Sequence, residues 1–324
     1  MWQTRLCSLL EIQYPIVQGG LQWLSTPEFT AAVSNSGALG VLAAAMYPEE
    51  EELRAAIRRL RSLTDKPFGV NLTLLPHLGL RERVQRHVRV IIEEKVPVVE
   101  TSGRNPQEII SLLKEGGVKI IHKVPNVRFA RKAEELGVDA VAVVGWECAG
   151  HPGMDEVGGL VLIPKVARSV RIPVLAAGGI ADGHGLVAAL ALGAEGVLLG
   201  TRLMATEECP VHSRFKEWLV RAQETDTLVV GKKMGDPVRV LRNAVAEALL
   251  AEEEAGLAGE ALDRAMRQKI HRRALLEGDL ETATFTVGQV VGLIREIAGV
   301  ETVIKGMVAE AEEIVQGLAR LLTL

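Results

Sequence analysis

The chain has 324 residues, 48% of them hydrophobic, and a formal net charge of -4, so it suits one large core and offers no basic surface for nucleic acid. No apolar stretch approaches the roughly 20 residues of a membrane span, and no apolar signal segment precedes Glu11, so we expect no membrane role. The three cysteines are far apart and suit a reducing compartment, so we expect a cytoplasmic protein without a disulfide framework.

From residue 12 to about residue 200, short runs rich in Val, Ile and Leu alternate with longer helical patterns. The strands are predicted at Ile16-Val17, Leu39-Leu42, Phe68-Leu72, Val96-Glu100, Val118-His122, Ala140-Val144, Val174-Ala177 and Gly196-Leu199. The helices between them are predicted at Pro27-Ser36, Pro48-Leu63, Leu80-Lys95, Pro106-Glu115, Val127-Leu136, Leu160-Val170 and Gly183-Leu192. Because the strand runs are continuously apolar, the sheet should be parallel and buried on both faces.

Eight such units predict an α/β fold, a (β/α)8 TIM barrel, with a doubly wound open sheet as the alternative. The first predicted strand is not followed by Gly-x-Gly-x-x-Gly, which counts against an open dinucleotide-binding sheet. We therefore expect the barrel.

After Thr201 the pattern changes to helices rich in Ala, Glu and Arg, with one further strand at Thr227-Val230. The run Glu252-Glu253-Glu254 is interpreted as a solvated helix face, and two final helices are expected from Thr286 to about Leu322. We divide the chain into a barrel at 1–205, a smaller helical substrate or lid domain at 206–280 inserted after the last barrel strand, and C-terminal helices at 281–324 that return to the barrel.

In a parallel barrel the functional groups lie at the carboxyl ends of the strands. There the sequence places Gln18-Gly19-Gly20, Asn71, Thr101-Ser102-Gly103, Lys123, Trp146 through His151, Gly178-Gly179 and Gly200-Thr201. The last two pairs favour phosphate, because glycine lets backbone N–H groups approach an anion and a short helix after Thr201 adds its dipole. A sugar phosphate and flavin mononucleotide (FMN) both fit. The amides of Asn71 and Gln18 suit the donor and acceptor edges of a flavin ring.

Two further side chains at these strand ends are candidates for a role in catalysis or binding. Lys123 is interpreted as a functional cation rather than a surface lysine, since a strand end facing inward is a costly place for an unpaired charge. His151 lies between Gly150 and Pro152-Gly153 and is the candidate for proton transfer or anion binding, with helix capping as the alternative. Cys148 is interpreted as a small buried thiol. The histidines repeat no metal-ligand spacing, so no metal site is predicted.

Several segments together resemble the nitronate monooxygenase (2-nitropropane dioxygenase) family. They are Tyr14 to Gly20, Ala32 to Gly40, Pro67 to Asn71, Ala149 to Gly153, Ala176 to Gly183 and Leu199 to Arg202, with Val238 to Asn243 and Gly288-Gln289 further along. The resemblance covers almost the whole chain and implies an FMN-containing barrel with a smaller helical domain over the ring. The predicted cofactor contacts are Gln18, Gly19, Gly20, Asn71, Lys123, Glu147, Ala149, Gly150, Gly178, Gly179, Gly200, Thr201 and Gln289.

The leading hypothesis from this resemblance is oxidative denitrification of an alkyl nitronate with O2, which gives a carbonyl compound and nitrite. His151 would bind the nitronate oxygens or take the α-proton of a neutral nitroalkane. The same motifs recur in the flavin-dependent enoyl-acyl-carrier-protein reductases of type II, which Gln18-Gly19-Gly20 and the Ser62 to Pro67 segment also resemble. Their histidine loop usually reads Glu-Ala-Gly-Gly-His, where this chain has Glu147-Cys148-Ala149-Gly150-His151.

Two other hypotheses stay open. A third branch of the family reduces quinones with a nicotinamide cofactor, and a barrel that binds a phosphate ligand without redox chemistry is the alternative from a different class. The sequence does not specify the physiological substrate, the use of NAD(P)H or the oligomeric state. A homodimer is compatible with it.

Overall fold

Eight parallel strands form the centre of the protein, whose computed structural model describes residues 2–74 and 80–321. The strands are β1 (Ile16–Gln18), β2 (Gly40–Ala43), β3 (Phe68–Leu74), β4 (Val98–Gly103), β5 (Lys119–Val124), β6 (Ala140–Val144), β7 (Val174–Ala177) and β8 (Gly196–Leu199). Each strand from β2 to β8 pairs with its sequence neighbour, and β1 pairs with β8. Leu39, just before β2, exchanges backbone hydrogen bonds with Ile16 and Gln18 of β1, which brings the two remaining edges together. The predicted (β/α)8 TIM barrel is confirmed.

Helices surround the strands in alternation with them. They are α1 (Arg5–Leu10), α2 (Pro27–Asn35), α3 (Glu50–Leu63), α4 (Leu80–Glu93), α5 (Gln107–Glu115), α6 (Val127–Glu135), α7 (Gly159–Ala167) and α8 (Gly183–Ala191). Several begin with a polar cap: the Thr26 side chain accepts the N–H of Phe29 at α2, and Asp182 accepts that of Gly185 at α8. Capping of this kind satisfies N–H groups that the first turn leaves without partners.

The first helix, α1, was not predicted. It lies before β1 and closes the amino end of the barrel, where Leu6 and Leu10 are buried against Val17 and Leu198. Gly196 at the start of β8 allows this contact, since a Cβ there would lie 2.4 Å from Cδ2 of Leu6. The barrel interior is thus a packed core that is open to chemistry only at the carboxyl ends of its strands.

The segment after β8 contains more strand than expected. It holds α9 (Thr201–Met204), α10 (Ser213–Arg221), β9 (Thr227–Val230), β10 (Val238–Leu241), α11 (Ala244–Glu254), α12 (Gly259–Lys269) and α13 (Arg272–Leu276). The strand at 227–230 was predicted, but its antiparallel partner β10 was not. The β9–β10 hairpin packs its apolar side chains against α11 and α12, around Val230, Val240, Leu249 and Leu262.

The last long helix, α14 (Val300–Leu321), packs against α8 and α2 on the outside of the barrel. Before it, residues Gln289–Leu293 form only a short 3₁₀ helix, where a full helix was expected. The division into domains at 205 and 280 remains a prediction, and the ends of the chain at residues 1 and 322–324 lie outside the described residues. Across the described residues, no helix is both long enough and apolar enough to cross a membrane.

Candidate active site

Three polar side chains from neighbouring strands meet near the carboxyl end of the barrel. Asn71 of β3 donates through Nδ2 to Oε2 of Glu100 on β4 at 2.7 Å, and Nζ of Lys123 on β5 lies 2.7 Å from Oε1 of Glu100. The backbone N–H of Gly20 donates to the same carboxylate at 3.0 Å. The side chain of Glu100 is 0% exposed, and a carboxylate removed from water needs such charged and hydrogen-bonding partners. These residues therefore form one connected polar network.

Glu100 is absent from the predicted site, although the signal for it is present in the sequence. It follows Val98-Val99 within a buried strand, where a charge is costly unless it is paired. The register aligns Asn71 with Glu100, so the two side chains stand on the same face of adjacent strands. Lys123 is not a solvated surface lysine, because its ammonium pairs with this buried carboxylate.

Gln18, at the end of β1, is fully buried. Its Nε2 donates to Oγ of Ser25 at 2.8 Å, while its Oε1 has no hydrogen-bond partner among the described residues. A buried acceptor of this kind requires a donor from a ligand or water. Gly19 and Gly20 are needed for packing, since a Cβ at Gly19 would lie 2.7 Å from Leu198 and one at Gly20 would lie 2.4 Å from Cβ of Asn71.

Glycines at the ends of β7 and β8 leave backbone donors unused. Among the described residues, no group accepts a hydrogen bond from the N–H of Gly178, Gly179 or Gly200. A Cβ on Gly200 would meet only Leu21, at 3.6 Å, so the space beside it is open. Neighbouring N–H groups without partners form a concave site for an anion. The predicted short helix does begin at Thr201, whose Oγ1 accepts the N–H of Gly288 at 3.0 Å.

The loop after β6, Gly145–Gly153, is called the histidine loop below. Its Glu147 turns toward the start of α7, where both carboxylate oxygens lie within 3.1 Å of the N–H of Gly159. The backbone carbonyl of Glu147 accepts the N–H of Gln289 at 3.0 Å. Gly288 fits this close approach, because a Cβ there would lie 3.0 Å from the same carbonyl oxygen. The structure therefore brings Gln289 to the histidine loop, and contacts of Glu147 and Gln289 with a cofactor remain predictions.

The histidine loop is joined to the β9–β10 hairpin through its backbone. Gly150 donates its N–H to the carbonyl of Arg239 at 3.2 Å and accepts the N–H of Arg239 at 2.7 Å. Both backbone polar groups of Gly150 are therefore occupied by the protein. The preceding Ala149 lies against Gly288, since a Cβ on that glycine would be 3.1 Å from the backbone nitrogen of Ala149.

The Arg239 side chain secures the same contact. Its Nη2 donates to the carbonyl of Trp146 at 3.0 Å, and its Nη1 donates to Oγ1 of Thr227 at 3.0 Å. The guanidinium carbon lies 5.4 Å from the centre of the Trp146 ring, and Nζ of Lys232 lies 4.9 Å from it. Burial lowers the pKa of Arg239. Neither cation was predicted to be at the site, because the sequence gives no sign of where the hairpin folds.

His151 lies at the outer end of the loop, about half exposed, with Nε2 3.6 Å from Oδ2 of Asp236 in the hairpin turn. It does not cap the next helix, because the N-cap of α7 is Gly158. Its ring is outside the network of Asn71, Glu100 and Lys123, and its catalytic role remains a prediction. Asp236 is a neighbour that the sequence did not indicate.

Cys148 is buried, as interpreted from the sequence. Burial raises the pKa of its thiol to about 12, and the nearby Glu147 carboxylate acts in the same direction. A thiol with this pKa is protonated near neutral pH and is a poor nucleophile. Cys148 therefore serves packing beneath Gly178, where a Cβ would lie 2.9 Å from Cβ of Cys148.

Three groups that often bind metals lie together on the outside of the barrel. Asp182, His184 and Glu310 have ligand atoms within 4.8 Å of one another. Asp182 accepts the N–H of Gly185, and Glu310 accepts that of Gly183 at 2.7 Å. These carboxylates already complete the start of α8, so the cluster gives no reason to infer a metal.

The sequence profile of the nitronate monooxygenase family matches residues 3–79 and 77–310 of this chain. A probable nitronate monooxygenase of Staphylococcus aureus is 32% identical over 89% of this chain and 92% of that protein. A dehydrogenase of Rhodococcus jostii, named for a hydroxy-methyl-oxo-octahydro-indene-carboxyl-CoA substrate, is 35% identical over 98% of each chain.

Solved structures agree with these relationships. FabK, an enoyl-acyl-carrier-protein reductase II, from Thermotoga maritima is 44% identical, with a TM-score of 0.92 over 99% of this chain and 100% of that one. A nitroalkane oxidase from Streptomyces ansochromogenes is 29% identical, with a TM-score of 0.79 over 97% of this chain and 99% of that one.

Proposed function

This chain belongs to the nitronate monooxygenase family of FMN-dependent oxidoreductases, and we propose that it reduces enoyl thioesters with NADH or NADPH. The observation that carries the proposal is its full-length similarity to FabK, which exceeds its similarity to the nitroalkane oxidase in both identity and TM-score. The Rhodococcus dehydrogenase is also named for a coenzyme A thioester. A thioester substrate is therefore common to two full-length relatives.

Nitronate oxidation, the leading hypothesis from the sequence, is the second candidate. It is supported by the matching family profile, by the Staphylococcus relatives and by the Streptomyces structure. We place it second because those individual proteins are less similar to this chain than FabK is.

The residues at the barrel mouth fit FMN. The N–H groups of Gly178, Gly179 and Gly200 are available to a phosphate, and the space beside Gly200 is open. The buried Oε1 of Gln18 needs a donor, which a flavin ring N–H would supply. Asn71 and Lys123 would contact the flavin ring, and Glu100 would hold both of these side chains in position. When bound, FMN would supply the hydride transfer, and the protein would supply position and electrostatics.

The proposed role of His151 is to hold the substrate. Its ring is accessible, and its Nε2 lies 3.6 Å from Oδ2 of Asp236. A ring N–H would donate a hydrogen bond to the thioester carbonyl oxygen and stabilise the negative charge that develops there during reduction. In nitronate oxidation the same ring would bind the nitronate oxygens or take an α-proton.

The absorption spectrum of the purified protein is the first test. A protein that carries no bound flavin after incubation with FMN and removal of the unbound FMN would contradict both redox candidates. The second test is anaerobic mixing with NADH and then with crotonyl-CoA. Rapid bleaching by NADH, followed by recovery of the colour with crotonyl-CoA, is the expected result. A flavin that stays oxidised with NADH or NADPH, but turns over nitronate in air, would reverse the order of the two candidates.

A further inference from the structure

A fully buried carboxylate lies behind the lysine at the barrel mouth. The side chain of Glu100 is 0% exposed, whereas that of Lys123, its ion-pair partner, is 22% exposed. Val98, two residues before Glu100 on the same face of β4, belongs to the apolar interior together with Ile121 and Leu198. Water is therefore excluded from the inner side of the ion pair. Charges interact more strongly in such surroundings than in solvent.

The carboxylate of Glu100 is held by neutral donors as well as by the lysine. Its Oε2 accepts hydrogen bonds from Nδ2 of Asn71 at 2.7 Å and from the N–H of Gly20 at 3.0 Å. Its Oε1 lies 2.7 Å from Nζ of Lys123 but makes no hydrogen bond of ordinary geometry among the described residues. The glutamate and the lysine therefore attract each other as charges, while Asn71 and Gly20 fix the position of the carboxylate.

The ammonium of Lys123 keeps its N–H groups for a bound molecule. Within the part of the chain that the structure describes, no group accepts a hydrogen bond from its Nζ. This atom lies beside Gly19, just after β1, where a Cβ would be 3.4 Å away. An ammonium carries three donors, so an acceptor atom of a ligand can bind there. Lys123 thus presents a cation to the mouth, and Glu100 supplies the opposite charge from the interior.

We propose that Glu100 is a positioning residue that sets the reduction potential of the bound flavin by compensating the charge of Lys123. The inference rests on the proposed FMN site and does not depend on which of the two candidate reactions is correct. Two-electron reduction with uptake of one proton adds a negative charge to a flavin ring. A cation without a counter-charge would stabilise that negative charge and raise the potential, because charges near the ring tune its electronics. With Glu100 ionised, the pair has no net charge, so reduced flavin remains a better electron donor.

The test is a set of three variants: Glu100→Gln, Lys123→Met and the two combined. The pair gains one positive charge in the first variant, loses one in the second and is neutral again in the third. The midpoint potential of bound FMN is measured anaerobically against a reference dye, while dithionite supplies the electrons. Glu100→Gln should raise the potential by about 30 mV or more, which is a tenfold shift of a two-electron equilibrium. Lys123→Met should lower the potential, and the double variant should return close to the unaltered value.

Asp139→Asn is the matched control. The Asp139 side chain is 15% exposed and its carboxylate pairs with Nζ of Lys114 at 2.7 Å, but it precedes β6 at the amino end of the barrel. The substitution removes the same charge at the end opposite the mouth, so it should leave the potential unchanged. Urea unfolding of each protein without FMN shows whether the variants are folded, because this measurement does not require the cofactor.

An unchanged potential in Glu100→Gln, or shifts of the same sign in both single variants, would overturn this role for Glu100 while leaving the FMN site intact. An equally large shift in Asp139→Asn would also overturn it. If Glu100→Gln does not fold, the double variant is compared with Lys123→Met, since removal of the carboxylate should raise the potential there as well. Equal potentials in those two proteins would overturn the proposal. An unaltered protein that binds no FMN would instead refute the cofactor assignment itself.

Discussion

Arg239 and Gly150 exchange two backbone hydrogen bonds, of 2.7 and 3.2 Å, and so join the β9–β10 hairpin to the loop that carries His151. The guanidinium of Arg239 reinforces this bridge by donating to the carbonyl of Trp146. One residue thus holds the loop by its main chain and by its side chain. The position of His151 consequently depends on a segment almost ninety residues further along the chain.

Replacement of Arg239 by Met should destabilise the protein and impair turnover together. The substitution leaves the Trp146 carbonyl and Oγ1 of Thr227 without their donor, and an unsatisfied buried polar group costs about 1–3 kcal/mol. Chemical denaturation measures the loss, and steady-state kinetics measure the effect on the loop. Arg242→Met is the matched control, because Arg242 is exposed and its pair with Glu247 contributes little. Equal stabilities of the two variants would contradict this role for Arg239.

The open space beside Gly200 leads to a test of the phosphate site. Gly200→Val places a branched side chain where only Leu21 is near, so it should displace a phosphate without a clash inside the protein. The variant should purify with much less FMN, measured by absorbance after the flavin is released. Gly179 is a poorer choice, because its φ of +72° already disfavours any side chain. Gly317→Val on α14 is the control, since no group lies within 4 Å of a Cβ there. Normal FMN content in Gly200→Val would place the phosphate elsewhere.

The barrel and much of its mouth were predictable because both depend on local patterns. Continuous apolar runs set the strands, and the order of strands in a barrel brings Gln18, Asn71 and Lys123 to one end. The two glycine pairs were predicted to bind phosphate because glycine allows the backbone to approach another group closely, and that role remains a prediction. Glu100 was not predicted as a site residue, because it was treated only as the last residue of a strand.

The contacts of the hairpin were not predictable, because they depend on how distant segments pack. Arg239 belongs to a stretch used only for family resemblance, and its role follows from pairing with Gly150. The interpretation of Glu252-Glu253-Glu254 as a solvated face is wrong for Glu253, whose side chain is buried. Its carboxylate accepts the N–H groups of Gly231 at 2.8 Å and Lys233 at 2.6 Å, so it fixes the hairpin turn. Only tertiary structure distinguishes that glutamate from its two neighbours.

A buried histidine makes stability depend on pH. Burial lowers the pKa of His122 to about 4, and Oγ1 of Thr101 lies 2.8 Å from its Nδ1. In the unfolded chain the imidazole keeps its ordinary pKa of about 6.5. Between these values the unfolded state binds more protons, so the contribution is complete above about pH 6.5 and is lost as the pH falls toward 4. From about pH 7 to about pH 5 the protein should lose about 2 kcal/mol of unfolding free energy through His122.

Urea denaturation of the unaltered protein and of His122→Gln at the two pH values isolates this contribution. The variant should be less stable near pH 7 but should lose less stability on acidification. His87, whose pKa burial also lowers, is present in both proteins and cancels in the comparison. Parallel pH profiles would mean that His122 is protonated in the folded state.

Replacement of His151 by Asn should keep the fold and the FMN content but impair turnover. His151 is half exposed, and Asp236 is its one close polar partner among the described residues, so removing the ring leaves no buried group without a partner. Loss of an acid or base that acts on the substrate typically costs about 10²–10⁴-fold in rate. Asp236→Asn is the comparison, and its effect should be smaller, because Asp236 lies beside the ring and is assigned no direct contact with the substrate. Thermal unfolding and flavin absorbance establish that both variants are intact.

The substrate dependence of this loss distinguishes the two candidate reactions. For thioester reduction, His151→Asn should slow the oxidation of reduced flavin by crotonyl-CoA while leaving reduction by NADH nearly unchanged, because the proposed role of the ring is to bind the acyl thioester and not the nicotinamide. For nitronate oxidation, the loss should be larger with a neutral nitroalkane than with a preformed nitronate, which has already lost its α-proton. Equal losses with those two substrates would indicate anion binding alone. Full activity with every substrate would show that His151 only shapes the loop, and the search for the proton donor would move to the Glu100–Lys123 pair.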